Sequence, residues 1–445
     1  MPLELTQLKE RVEKRPKRAE LARAINYEER VRFHVLPSLS INEYSKARSE
    51  FLKWCKGLLS KDAYPSFEQM VRPPYPTVSL YDRVFAALEK VLDGKDATIK
   101  YQFASETAEE DWSTYQAEVL DDPRRFKALA FEKLKSEVNS MIIVDMDSEA
   151  KEPNPYYYFL SVDQIIHYEE EEGVVQWVIF KSATDRLVVI DDSSYRVFIT
   201  EDKTNIIKGE EVNNPHDLGY CPASWFWSTS IKPNDNVKRH PITSFLADSD
   251  LYLLGELSKR YLDTYAATPI FWGYDRDCDY EFEGQECNGG YLVDPRGAVV
   301  VDGHPKPCPK CSTKKLGPGT FVTVPQPDPD PMGAVADMRE PIGVIEIPVA
   351  GLNYNVEEVA RREKAIYEGI TGYGCDQLEN QAVNVEQVLA SIDSRRSVLI
   401  NLKKNFEKAH QWVTSTMCRL RYGQGGSCAY VNYGTQFYFF EPSLP

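Results

Sequence analysis

The chain has 445 residues, 42% hydrophobic, 12% aromatic and 27% charged, a composition that excludes wholesale disorder at a length sufficient for roughly two to four structural units. Its 52 Lys and Arg stand against 68 Asp and Glu, and the formal charge of -16 excludes a protein that grips nucleic acid over its whole surface, because phosphate binding draws on Lys and Arg. The charge does not exclude a protein through which DNA slides, since an acidic wall lowers the friction that tight phosphate contacts would create.

Residues 1–18 mix Glu with Lys and Arg and contain no apolar run, so no secretory signal is expected. No stretch approaches the roughly 18 apolar residues of a membrane span, and the protein reads as soluble and made in a cytoplasm. The nine cysteines, an odd and mostly scattered set, argue for thiols and one metal site over a disulfide framework.

From Leu3 to about Ser140 the pattern is mainly helical. Val84, Leu88, Val91 and Leu92 share one face of Tyr81–Leu92, Gly94 follows as a stop, and Phe126–Val138 repeats the signal. Ahead of them, Tyr64–Tyr81 holds Pro65, Pro73, Pro74 and Pro76 and is expected to be a loop or extended connector. From Met141 to Trp227 the period switches. Met141–Val144, Tyr156–Leu160, Val174–Phe180, Arg186–Ile190 and Tyr195–Ile199 are β-branched or aromatic runs between polar turns, an antiparallel region of hairpins.

A helix opens near Thr243 and Ser244, carries Leu246, Leu253, Leu257, Tyr261 and Tyr265, and ends before Thr268–Pro269. Asp248, Asp250, Glu256 and Asp263 lie off that apolar face. Residues 268–350 form a Gly, Pro and Cys-rich block with short strands at Gly297–Val301 and Thr320–Val324, then a proline strap at Pro325–Pro331. A second helix is predicted from Asn355, with Glu358 in a capping box, to Ile370. Residues 371–383 break it. A third helix starts at Asn384 and runs to about Leu420, near 55 Å at about 1.5 Å per residue. A strand at Gln436–Phe440 closes the chain.

Catalytic signatures are missing from this sequence. There is no phosphate-binding G-x-x-x-x-G-K-[ST] or G-x-G-x-x-G, no H-E-x-x-H and no G-x-S-x-G. Gly423–Gly426 follows a helix and reads as its stop. Asp275, Asp277, Asp279 and Glu286 imitate a calcium loop, but Tyr280 stands where the turn needs Gly, so a solvated acidic turn is expected.

Cys308-Pro-Lys-Cys311 is the sharpest local signal: two thiolates around a two-residue gap can share a tetrahedral zinc. Cys278 and Cys287 would complete a four-cysteine site, with His304 as substitute ligand, against reduced unliganded thiols as the alternative. The aromatics at Tyr156–Phe159 suit a packed sheet face better than base stacking. Arg395, Arg396, Lys403, Lys404 and Lys408 give the long helix a basic side, read as solvated or subunit-facing.

The order of parts resembles the portal protein family of tailed bacteriophages, in which wing, stem, clip, stem, tunnel loop and wing helix follow one another. Three local stretches carry the resemblance further. Pro155–Ile166 is similar to a family strand, Leu218-Gly-Tyr-Cys-Pro-Ala-Ser-Trp225 resembles the apolar-G-x-x-P-apolar approach to the stem, and Glu386–Arg396 resembles the start of the wing helix.

The resemblance implies an α+β portal-like fold: a helical wing at 1–140, a β-rich wing at 141–240, stem helices at 241–267 and 351–370, a clip at 268–350 holding the candidate zinc ribbon, a tunnel loop at 371–383, a wing helix at 384–422 and a last strand in 423–445. It also implies a non-enzymatic ring, typically of twelve copies, at one capsid vertex of the virion, assembled in the host cytoplasm. Double-stranded DNA would pass through it during packaging and ejection. Terminase and then the head-tail adaptor would dock on the clip, with the major capsid protein and scaffold as further partners and no membrane involved. Asp376, Gln377, Asn380, Gln381 and Asn384 would offer polar groups to DNA in the tunnel loop, and Asp248, Asp250, Glu256 and Asp263 would line the channel. The cysteine block departs from the family, and a metallated clip would be a local elaboration. Portal proteins commonly continue into a helical crown, so the end at Pro445 leaves an absent crown or a shortened chain as expectations. From other classes, a zinc-ribbon nucleic-acid-binding protein is the alternative, and a metal-dependent nuclease using Asp275, Asp277 and Asp279 a further one.

Overall fold

The computed structural model describes residues 5–37, 45–61, 63–92, 94–147, 154–182, 186–200, 207–233, 235–268, 270–274, 280–288, 291–301, 304–309, 321–324, 342–345, 349–372 and 385–437. Helices and antiparallel strands occur in separate blocks, so the chain is α+β. It divides into two units interleaved along the sequence: 1–59, 72–253 and 362–445 form the first, 60–71 and 254–361 the second.

In the first unit, β4 (Ile165–Glu171), β5 (Val174–Lys181), β6 (Arg186–Ile190), β7 (Ser194–Thr200) and β8 (Ile207–Pro215) form a five-stranded antiparallel meander. The β4–β5 turn is Glu172-Gly173, both at positive φ, the two-residue geometry whose twist matches a hairpin. The central strands β5 and β6 read as apolar runs because both faces are buried. Val178, Phe180 and Ile190 point to one core with Met141 and Ile143 of β2 (Ser140–Asp147) and Leu160 of β3 (Asn154–Ser161), whereas Trp177, Ile179, Leu187 and Val189 cover Leu8 and Val12 of α1 (Leu5–Lys14). β2 is the centre of a second sheet between β3 and β9 (Ala223–Trp225).

Besides α1, this unit holds helices α2 (Arg18–Val35), α3 (Lys46–Leu58), α5 (Pro76–Leu88), α6 (Glu106–Tyr115), α7 (Arg124–Ser136) and α10 (Val385–Tyr422) among its described residues. Along α10, Leu399, Leu402, Phe406, Ala409, Val413 and Met417 are buried at helical spacing, and Phe406 packs against Phe131, Phe226 and Trp227. The expected basic side of this helix is only partly solvated. Lys403 is buried and bridges Glu407 and Asn432, while Arg396, Lys404 and Lys408 are exposed.

Three expectations need correction. Tyr64–Met70 is a helix, α4, because Pro65 sits in its first turn, where the missing N–H costs nothing. The second predicted helix, α9 (Val349–Thr371), begins at Val349, so Asn355 lies inside it and is no cap. β1 (Thr98–Phe103) is a strand inside the region expected to be mainly helical and pairs with β19 (Gly426–Asn432); of the strand expected at Gln436–Phe440, Phe437 bridges Gly94, and 438–440 lie outside the described residues.

The second unit contains α4 and three small sheets. β10 (Ile270–Tyr274) lies between β17 (Phe321–Val324), which is parallel to it, and β18 (Ile342–Ile345), which is antiparallel. β11 (Glu281–Phe282), β12 (Gln285–Asn288), β13 (Tyr291–Asp294) and β14 (Gly297–Ala298) form a meander, and β15 (Val300–Val301) pairs with β16 (His304–Pro305). Pro325–Pro331 lies outside the described residues.

Candidate functional site

Two helices bracket the strand block: α8 (Leu246–Ala267) before it and α9 (Val349–Thr371) after it. They approach at glycines. A Cβ at Gly255 would stand 2.9 Å from Val359, and one at Gly369 would run into the Phe245 ring, so the first half of α8 meets the second half of α9 in antiparallel order. At about 100° per residue, Asp248, Glu256 and Asp263 fall within an arc of about 80° on α8, and Asp250 points about 200° away from Asp248.

Asp248 and Asp263 are exposed and Glu256 is half-buried. Asp250 instead turns into its own chain, where Arg30 donates at 2.6 Å and His34 Nε2 lies at 3.0 Å. Burial acts to raise its carboxyl, but the bond to His34 and the charge of Arg30 outweigh it and hold the group below the ordinary carboxylate range. Tyr81 braces the same turn through Ser249 at 2.6 Å. Sequence reading could not find this pairing, since Arg30 and His34 are over 200 residues from Asp250.

After α9, Gly372 takes a left-handed φ of 71° against Ser394 and Val398 of α10. Asp376, Gln377, Asn380, Gln381 and Asn384, the expected loop groups, lie outside the described residues.

Of the four cysteines, Cys287 sits on β12 opposite Leu292 of β13, and Cys308 is fully buried beside the Tyr291–Pro307 bridge on the other side of β13. Cys278 and Cys311 lie outside the described residues, as do Asp275, Asp277 and Asp279. Among the described residues no three His, Cys, Asp or Glu side chains converge on a metal position. The His304 backbone pairs with Val301.

Five of the six histidines are buried in the first unit. His410 shows what they do. Its ring stacks on Phe126 at 4.3 Å, Nδ1 lies 2.8 Å from the Tyr433 hydroxyl and Nε2 3.1 Å from Asp122. His240 Nε2 bonds Leu134 O and His216 Nε2 bonds Asp191 O. Burial pushes His240 and His167 down to about 4; His240 is a hydrogen-bonded brace, whereas both ring nitrogens of His167 are buried with no hydrogen-bond partner and its ring packs edge-on against Trp177 at 5.0 Å.

No family description matches this chain, and none of the curated proteins matches it. Among the described residues no helix is long and apolar enough to cross a membrane.

Proposed function

We propose that this chain is the portal subunit of a tailed bacteriophage, a non-enzymatic ring of about twelve copies at one capsid vertex through which double-stranded DNA is packaged and ejected. The observation that carries the reading is the antiparallel approach of α8 and α9 around an inserted strand block, followed by a short connection and a 38-residue helix. In that role α8 and α9 are the stem. Asp248, Glu256 and Asp263 are the acidic candidates for the channel wall, repelling phosphate so that DNA slides. Asp250 is a brace to α2 and not a lining group.

Residues 268–350 are the clip, which receives terminase during packaging and the head-tail adaptor afterward. Structural zinc on Cys278, Cys287, Cys308 and Cys311 would hold together a block whose buried apolar side chains are few among the described residues.

Replacing 376–382 by a Gly/Ser segment of equal length tests the tunnel assignment. Rings are expected to persist while DNA retention or packaging fails; loss of rings, or normal packaging, would remove the loop from DNA handling.

A further inference from the structure

Outside the stem and the clip, the largest chemical anomaly of this acidic chain is a concentration of positive charge in the first unit. A cavity of about 730 Å³ opens between α1, the turn into α2 and the start of β8. Lys9, Lys14, Arg15 and Arg18 line it, with Glu13 as the one carboxylate among the described lining residues. Its apolar floor, Val12 and Ile207, belongs to the core that fixes α1 on the five-stranded sheet, so the site has a rigid base.

The cations are not consumed internally. Lys9 and Arg18 are exposed and make no ion pair among the described residues; Lys14 pairs only with Glu10, an exposed contact of the weakest kind. Arg15 adopts a left-handed φ of 42°, a backbone that favours Gly or Asn, and its Nε donates to Val12 O at 3.3 Å, which holds the guanidinium at the rim. Four cations against the single lining carboxylate Glu13 leave the described lining net positive, a charge that a bound anion would offset.

The size and the surrounding charge select the anion. The volume lies within the roughly 300–1,000 Å³ of small-ligand sites and exceeds what one phosphate fills. A long duplex would extend over a chain of net charge -16, whereas a compact anion fits within the positive patch. We infer that this cavity binds a small multiply charged phosphate ligand, a di- or triphosphate group held by Lys9, Lys14, Arg15 and Arg18. The inference does not depend on the portal reading.

Calorimetric titration of the full chain with inorganic tripolyphosphate, at about 50 mM salt to limit screening, tests it. Saturable binding of one anion per chain is expected. Lys9→Gln with Arg18→Gln should weaken it at least about tenfold through lost charge-assisted hydrogen bonds. Lys53→Gln with Arg124→Gln, which removes two exposed cations elsewhere, should leave it unchanged. All four side chains are exposed, so folding is not at stake. Unsaturable heats, or equal weakening in both double variants, would reduce the cavity to general ionic attraction. Tighter binding of a duplex of about 20 base pairs than of tripolyphosphate would overturn the compact ligand in favour of a nucleic-acid backbone.

Discussion

Glu28 is fully buried, and Oε1 accepts from the backbone N–H of Val138 at 3.0 Å and Asn139 at 2.9 Å and from Asn139 Nδ2 at 2.5 Å. Oε2 is buried with no hydrogen-bond partner. Burial pushes this carboxyl up to about 7, against the lowering effect of those bonds and of Arg32. The folded state therefore binds more protons than the unfolded state between about pH 4.5 and 7, and stability falls as pH rises through that window. The loss is on the order of 3 kcal/mol. Glu28→Gln is expected to lose this fall, measured as urea midpoints from pH 5 to 8, while wild type loses ground to the variant as pH rises. Parallel curves would show that Glu28 is ionised throughout. His240 and His167, held low by burial, act with the opposite sign and are lost as pH falls from 6.5 toward 4, which is why the comparison with the variant isolates Glu28. None of this was legible in the sequence. Glu28 stands in a run of charged helical residues and reads as a surface acid, because its partners are 110 residues away.

Elements whose burial is local were legible, and those that depend on distant partners were not. The runs Val174–Phe180 and Arg186–Ile190 announce strands because both faces are apolar. β1 escaped because its sheet partner among the described residues, β19, lies over 300 residues on, and alternating Lys100 and Gln102 look no different from helix surface. The long helix was legible from its repeating Leu and Phe positions. Phe406 at its centre is fully buried among three aromatic side chains, so Phe406→Ala is expected to cost about 3–5 kcal/mol in chemical denaturation. A cost below about 1 kcal/mol would mean that α10 is not the spine of the first unit. In the cysteine block, Cys287 and Cys308 flank β13, and their two companions lie outside the described residues. Protein purified without chelator is expected to carry about one zinc per chain by elemental analysis. Metal-free protein of unchanged stability would make these cysteines ordinary thiols.

For the whole molecule, the succession of helical and strand-rich blocks was legible and the geometry of α8 and α9 was only half so. Helical periodicity marks α8 and α9 as apolar on one side, but their approach at Gly255 and Gly369, and the diversion of Asp250 to Arg30 and His34, required the fold. Tyr354 and Val356 of α9 and Phe271, Val344 and Ile345 of the β10 sheet are large apolar side chains left exposed in a single chain. Such groups are the ones that neighbouring copies in a ring would cover. Negative-stain imaging of the purified full chain, with its mass in solution from light scattering, tests the central claim most directly. Closed rings of about twelve copies around an open channel are the expected result; a monodisperse monomer under every assembly condition would contradict it.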